Sequence, residues 1–175
     1  MRYATRGRFI LAADMSFGIR AAGEHDIAGM AALRAQTWGT APYWAARVAG
    51  YLNGEHSPQQ ALAERVAFVA LDGDVVVGLV AGHRTKRFGC DGELEWIDLA
   101  KERRGQGVAD ELMAAMMAWF VEHEALRVCV NVAPDNAVAQ RFYAGHGAVP
   151  LNEYWMVWND IRQRGLTSDR QLLSD

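Results

Sequence analysis

Apolar positions along the chain change period several times, and each change marks an element. Residues 16–20 (SFGIR) read as a short first strand. Between residues 24 and 38, Ile27, Met30, Ala31 and Leu33 recur at helical spacing, joined by the aliphatic stem of Arg34. Thr40-Ala41-Pro42 interrupts this helix, and a second one over residues 43–52 stops near Asn53-Gly54. A shorter helical stretch is expected over 59–63, after Ser57-Pro58. The period then drops to two. Residues 65–71 and 75–81 flank Asp72-Gly73-Asp74, the pattern of a β-hairpin around a tight turn. A turn over 88–92 leads to a fourth strand at 93–100 (ELEWIDLA). Val108, Leu112, Ala115, Met116, Trp119 and Phe120 then draw a broad apolar stripe along a helix over 108–123. A fifth strand at 127–133, a helix at 136–144 and a last strand at 154–158 follow, and the residues from about 163 onward are polar.

This order predicts an α+β protein: a mixed, mostly antiparallel central sheet with helices on both faces. The stretch 93–133 reads strand-helix-strand, so the fourth and fifth strands should run parallel. A length of 175 residues suits one domain. We place it at 16–160, after an N-terminal extension (1–15) and before a polar tail (161–175). With 51% hydrophobic and 22% charged residues, the chain can fill a sizeable core.

A net charge of −3 argues against nucleic acid as a partner, since such a surface needs a dominant basic face. Arg2, Arg6 and Arg8 precede an apolar run at 9–13 that Asp14 cuts short. That run is too brief for a signal-peptide core or a membrane span, so we expect a cytoplasmic protein with no membrane partner. Cys90 and Cys129 lack CxxC spacing and are expected to be reduced. The five histidines are scattered, and no metal is expected.

Chemistry concentrates at 101–109, KERRGQGVA, wedged between a strand and a strong helix. Gly105 and Gly107 allow a sharp backbone turn that stays open to a ligand. The free amides of the first helical turn, backed by the helix dipole, suit a diphosphate. Arg103 and Arg104 add positive charge at the rim. No Gly-Lys-Ser/Thr follows, so this is not a Walker loop, and Asp110 stands where the third glycine of GxGxxG would be.

Arg104-Gly105-Gln106-Gly107-Val108-Ala109 resembles the Arg/Gln-x-x-Gly-x-Gly/Ala signature of the GCN5-related N-acetyltransferase (GNAT) family. Ile19-Arg20-Ala21 with Asp26 is similar to that family's first strand and helix. Asn136, Ala139, Phe142-Tyr143 and Gly147-Ala148 resemble its Asn…Ala…(Leu/Phe)Tyr…Gly-Phe segment, with Ala148 in place of the usual aromatic. The resemblance spans roughly residues 16–160. It implies acetyl-CoA as cosubstrate and a sheet that splays between the fourth and fifth strands. It further implies that backbone amides of Arg104, Gly105, Gln106, Gly107, Val108 and Ala109 hold the pyrophosphate. Ile97, Asp98 and Leu99 would line the pantetheine arm, Asn136 would bond to the cofactor, and Tyr143 would lie near the sulfur as proton donor.

Acyl transfer to an amine needs a base, because a primary ammonium is only about 0.04% neutral at pH 7. It also needs donors for the developing oxyanion, here a backbone N–H near Asp98 or Leu99. Strict alternation puts Glu93, Glu95, Ile97 and Leu99 on one face of the fourth strand and Leu94, Trp96 and Asp98 on the other. Glu93 best fits the family's base position, Glu95 comes second and Asp98 third. Two carboxylates on one face would raise the pKa of one of them. Cys129 is expected to be a small buried residue rather than an acyl carrier, and Cys90 an exposed turn residue.

His83, at the expected end of the third strand, is a candidate substrate contact together with Trp38 and Trp44. Tyr43, Trp96 and Trp155 could also wall the acceptor pocket. We expect a small-molecule amine as acceptor. The alternatives are N-acetylation of a protein or peptide and, in another class, a non-catalytic acyl-CoA sensor. Exposed tryptophans near the C-terminus would suit a homodimer contact.

Overall fold

In the computed structural model, residues 17–165 are described. The expected 1–15 extension and the end of the polar tail therefore lie outside the described residues. Among the described residues seven strands form one sheet in the order β1-β2-β3-β4-β5-β7-β6. They are β1 (Gly18–Ala21), β2 (Ala61–Asp72), β3 (Val75–Thr85), β4 (Gly92–Leu99), β5 (Val128–Asn131), β6 (Val149–Asn152) and β7 (Trp155–Trp158). Of these described strands only β4 and β5 run parallel; every other neighbouring pair is antiparallel. The helices are α1 (Ile27–Ala35), α2 (Ala41–Asn53), α3 (Val108–Glu122) and α4 (Ala137–Gly145). The expected mixed sheet with a parallel pair at its centre is observed. Among the described residues no helix is long and apolar enough to cross a membrane.

Local chemistry sets most boundaries. The Thr40 hydroxyl accepts from Tyr43 N at 3.3 Å, Pro42 sits in the first turn, and Gly54 closes α2 at φ +83. Asn136 caps α4 by accepting from Ala139 N at 3.1 Å. Asp72 pairs directly with Val75, so Gly73 (φ +58) and Asp74 form the tight turn of the β2–β3 hairpin.

Four expectations needed correction. The helical stretch at 59–63 does not form: Gln60 adopts φ +66, its carbonyl accepts from Lys86 N, and β2 has begun by Ala61. The first helix does not run unbroken from 24 to 38; a 3-10 turn at Glu24–Asp26 precedes α1, which ends at Ala35. β6 was not anticipated. It is short, contains Pro150 and lies at the sheet edge, where a missing N–H is tolerated. Ile161, assigned to the tail, is buried, and its amide donates to Leu126 O at 3.0 Å.

The core lies between the sheet and its helices, with α1 and α2 over one face and α3 over the other. Met30, Leu33, Val48 and Tyr51 fill the first layer. Leu112, Met113, Met116 and Phe120 of α3 fill the second. α3 rides low on the sheet because β3 and β4 present glycines beneath it. A Cβ on Gly92 would lie 2.6 Å from the Phe120 ring, and one on Gly82 2.9 Å from both Phe120 and the Met116 sulfur. Gly92→Ala should therefore overpack this layer and cost about 1–3 kcal/mol. Gly18→Ala, where nothing lies within 4 Å of the added carbon, should change stability little. Urea melts of the two variants check the contrast.

Candidate functional site

β4 and β5 share a ladder for three rungs only, Gly92↔Val128, Glu93↔Cys129 and Leu94↔Val130. β4 continues to Leu99 without β5 beside it. The strands part beyond Leu94, and a cleft of about 630 Å³ opens, a volume typical of a small-molecule site. Ile97, Asp98 and Leu99 line it on the β4 side; Asn131, Val132 and Ala133 line it on the β5 side. Arg104, Gly105 and Ala109 stand at one end, and Asn136, Phe142 and Tyr143 bring in α4.

At the Arg104–Ala109 end, Gly105 (φ +73) and Gly107 (φ +82) both adopt the left-handed conformation that only glycine takes without strain. A Cβ on either would meet nothing within 4 Å, so the loop stands open. α2 and α4 are capped by side chains, but the N-cap of α3 is Gly107, which has none. Among the described residues, the amides of Gly105, Gln106 and Gly107 find no backbone acceptor. Such an N-terminus offers donors and a positive dipole end to an anion. Arg104 is exposed beside it. Arg103, expected to add charge here, is instead paired with Asp72, and Gln106 Nε2 donates to Glu102 O at 3.0 Å. Asn136 borders the cleft, but its Oδ1 serves as the α4 cap, which leaves only its Nδ2 to face a ligand. The residues present therefore fit an extended ligand with a diphosphate at one end.

Beyond the parting point the carboxylates gather. β4 bulges at Glu95: Leu94 pairs with Gly82 and Trp96 with Ala81, which leaves Glu95 without a partner on β3. The bulge overturns strict alternation. Trp96 and Asp98 now share the α1/α2 face with Glu93 and Glu95, whereas Leu99 packs beside Leu112 and Val108 under α3. Asp98 is ion-paired with Arg34, whose guanidinium stacks 4.0 Å from the Trp44 ring and 4.6 Å from Trp96. Glu93 is buried; Arg87 Nε donates to its Oε2 at 3.0 Å, and the Thr85 hydroxyl lies 3.3 Å from the same oxygen. His83 Nε2 is 3.5 Å from that oxygen and has no hydrogen-bond partner, while its Nδ1 meets the Tyr51 hydroxyl at 3.1 Å.

Glu95 has no hydrogen-bond or ion-pair partner among the described residues. Burial raises its pKa above the ordinary 4.5, and the Glu93 charge adds to the rise; His83, Arg34 and Arg47 oppose it. His83, Glu93 and Glu95 place ligand-type atoms within 4.8 Å of one another, a spacing a metal ion would accept. Arg87 already supplies a cation to Glu93 there. Tyr143 is buried, and burial, followed by the charge of Asp98, pushes its hydroxyl well above the ordinary tyrosine range, so it stays protonated.

The other candidate residues fall as follows. His83 is not at a strand end, because β3 runs on to Thr85 and buries the ring completely. Trp44 is also buried, with its Nε1 donating to Trp38 O at 2.8 Å, and Trp38 itself is 56% exposed. Cys129 is buried as expected. Cys90, expected to be exposed, is buried with it against Val157. The neighbouring Cys90 and burial both hold the Cys129 thiol above its ordinary range, which disfavours a thiolate nucleophile. Trp158 is buried and donates to His146 O, so it offers no surface for a dimer. Arg34, Arg87 and Tyr51 were not anticipated as part of the site; the one signal was a charge at Arg34 within an apolar helical stripe.

The raised pKa of Glu95 has a consequence for stability. The folded state holds this proton to a higher pH than the unfolded chain does. Ionisation therefore removes stability as pH rises from below 4.5 through the raised value. Glu95→Gln should be more stable than wild type at about pH 7.5, and the difference should shrink toward zero at about pH 4. Paired thermal melts at the two pH values check this; a variant less stable at the higher pH contradicts it.

Comparison with known proteins agrees with this geometry. The profile of the Acetyltransferase (GNAT) family matches residues 3–148. No curated protein matches significantly by sequence. Among solved structures, the PaiA N-acetyltransferase from Thermoplasma acidophilum, in complex with coenzyme A, is 14% identical with a TM-score of 0.61, covering 83% of this chain and 99% of its own. AAC(6')-Iy, in complex with the bisubstrate analogue CoA-S-monomethyl-acetylneamine, is 23% identical with a TM-score of 0.62, covering 78% and 93%. The NatC complex bound to Gag peptide and CoA is 16% identical with a TM-score of 0.65, covering 83% and 99%. These similarities show the fold, and the family match spans most of the chain: the protein belongs to the GNAT acetyltransferase family.

Proposed function

We propose that the protein is an N-acetyltransferase that moves the acetyl group of acetyl-CoA onto a primary amine of a small acceptor, by direct attack in a ternary complex. The observation that carries this reading is the parting of β4 from β5 after Leu94, which opens a cleft running from the uncapped N-terminus of α3 to Tyr143. Similar folds have been solved with coenzyme A or a CoA conjugate bound. They also include a complex bound to a peptide, so the fold alone does not choose the acceptor.

Bound acetyl-CoA supplies an activated acyl group on a thiolate leaving group. The amides of Gly105, Gln106 and Gly107, with those of Val108 and Ala109, would donate to its diphosphate, and Arg104 would add charge. Ile97, Asp98 and Leu99 would lie along its arm, and Asn136 Nδ2 would donate to it. A main-chain N–H near Asp98 or Leu99 would meet the developing oxyanion. Glu95 is the base in this scheme. It has no ion-pair partner among the described residues, it borders a depression between α2, the loop that follows it and β4 through which the acceptor would arrive, and its raised pKa brings it closer to the amine it must deprotonate. Glu93, engaged by Arg87, is a positioning residue beneath it. As the amine nitrogen bonds to the acyl carbon, its proton passes to the Glu95 carboxylate, directly or through water. The carbon–sulfur bond breaks, and Tyr143 gives its hydroxyl proton to the departing sulfur.

Saturating acetyl-CoA and an amine panel, with release of free coenzyme A as readout, tests the scheme. Glu95→Gln should lower kcat about 10²- to 10⁴-fold while leaving the calorimetric affinity for acetyl-CoA unchanged. Wild-type turnover retained in this variant would remove Glu95 from its role. An absence of acetyl-CoA affinity in the wild type would end the reading altogether.

A further inference from the structure

Glu95 borders a depression separate from the cleft, about 190 Å³, between α2, the loop that follows it and β4. Ligand pockets usually measure about 300–1,000 Å³, so this one takes only the amine end of an acceptor and a few further atoms. Its walls include Tyr51, His56 and Trp96, and the charges on and around β4 behind it can be paired off one by one. Glu93 is held by Arg87, and Asp98 by Arg34. Three charges at the depression keep no ion-pair partner among the described residues: Glu95, Arg47 and Glu55.

Arg47 stands three residues after Trp44 and four before Tyr51 on α2, so it shares the helix face that covers β4. Trp44 and Tyr51 both pack against Trp96, the residue next to Glu95. Arg47 is nonetheless exposed, with its guanidinium free to meet a ligand. After burial and nearer groups, its charge acts slightly to lower the pKa of both Glu95 and Arg34. Glu55 lies past the Gly54 cap that ends α2.

We propose that Arg47 is an anion subsite of the acceptor pocket, and that the acceptor is a small amino acid whose amine faces Glu95 and whose carboxylate is held by Arg47. This rests on the transferase reading and narrows its acceptor. The charges left over after pairing, a half-buried carboxylate and a guanidinium at the mouth, are the complement of a zwitterion. The planar guanidinium fork matches a carboxylate with two parallel hydrogen bonds. A simple amine would leave Arg47 unused. A diamine would place its second cation near Arg47, where only Glu55 could answer it.

The test uses the full chain with saturating acetyl-CoA. Each of the common amino acids is compared with its decarboxylated amine and its amide, with a short diamine added, and coenzyme A release is followed. At least one amino acid should exceed its decarboxylated partner in kcat/KM by about 10- to 100-fold, the range of a charge-assisted hydrogen-bonded pair. Arg47→Ala should abolish that ratio mainly through KM, and Arg47→Lys should restore part of it. Melting curves confirm that the variants are folded. Equal turnover of amines with and without the carboxylate, preference for the diamine, or an unchanged ratio in Arg47→Ala overturns the inference and leaves the transferase reading standing. No turnover of any amine by a protein that binds acetyl-CoA overturns both.

Discussion

A parallel pair of strands that stops after three rungs leaves main-chain groups without partners. Ordinarily such groups are paired within the sheet or covered, because an exposed edge inside a fold is unfavourable. Here β4 runs on to Leu99, well past the last rung it shares with β5 at Leu94. The gap is held open from both sides. β4 stays anchored to β3 along its length, and β5 is held by β7 through four pairs. α3 sits at the far end with no side chain capping it. The cleft therefore follows from how the sheet is built, and in the proposed reading an extended cosubstrate completes it.

The electrostatics follow the same pattern of deliberate incompleteness. Most buried charge around β4 is compensated: Glu93 by Arg87, and Asp98 by Arg34, which two tryptophans clamp. Glu95 is the exception, and the bulge explains why. It removes the residue from regular pairing and swings Trp96 and Asp98 onto the same face, so aromatic walls and a neighbouring ion pair crowd Glu95 without neutralising it. A carboxylate kept partly desolvated and unpaired costs stability, and functional sites are where such costs persist.

Much of this was legible in the chain. The hairpin around Gly73, the α3 stripe and the glycine loop depend on local periodicity and turn chemistry, which a sequence displays directly. What was misread depends on non-local pairing. Strict alternation along β4 fails because the extra residue at Glu95 is visible only against its partner strand. His83 was expected at a rim because β3 was ended at residue 81, and four more residues of strand carry it inside. The ranking of Glu93 above Glu95 rests on a family position; its reversal in the proposed function is a reading of the geometry, not an observation. Arg87, which engages Glu93, comes from a turn whose contacts no spacing rule reveals. Cys90 likewise lies in what reads as an exposed turn, and it is buried because Cys129 and Val157 cover it.

Amide hydrogen exchange with and without acetyl-CoA addresses the central claim most directly, because it reads the unpartnered main chain itself. The account predicts new protection at two separated places: the β4 residues 95–99 and the loop 104–109. Exchange unchanged at both under saturating acetyl-CoA, or protection confined to some other surface, would contradict it.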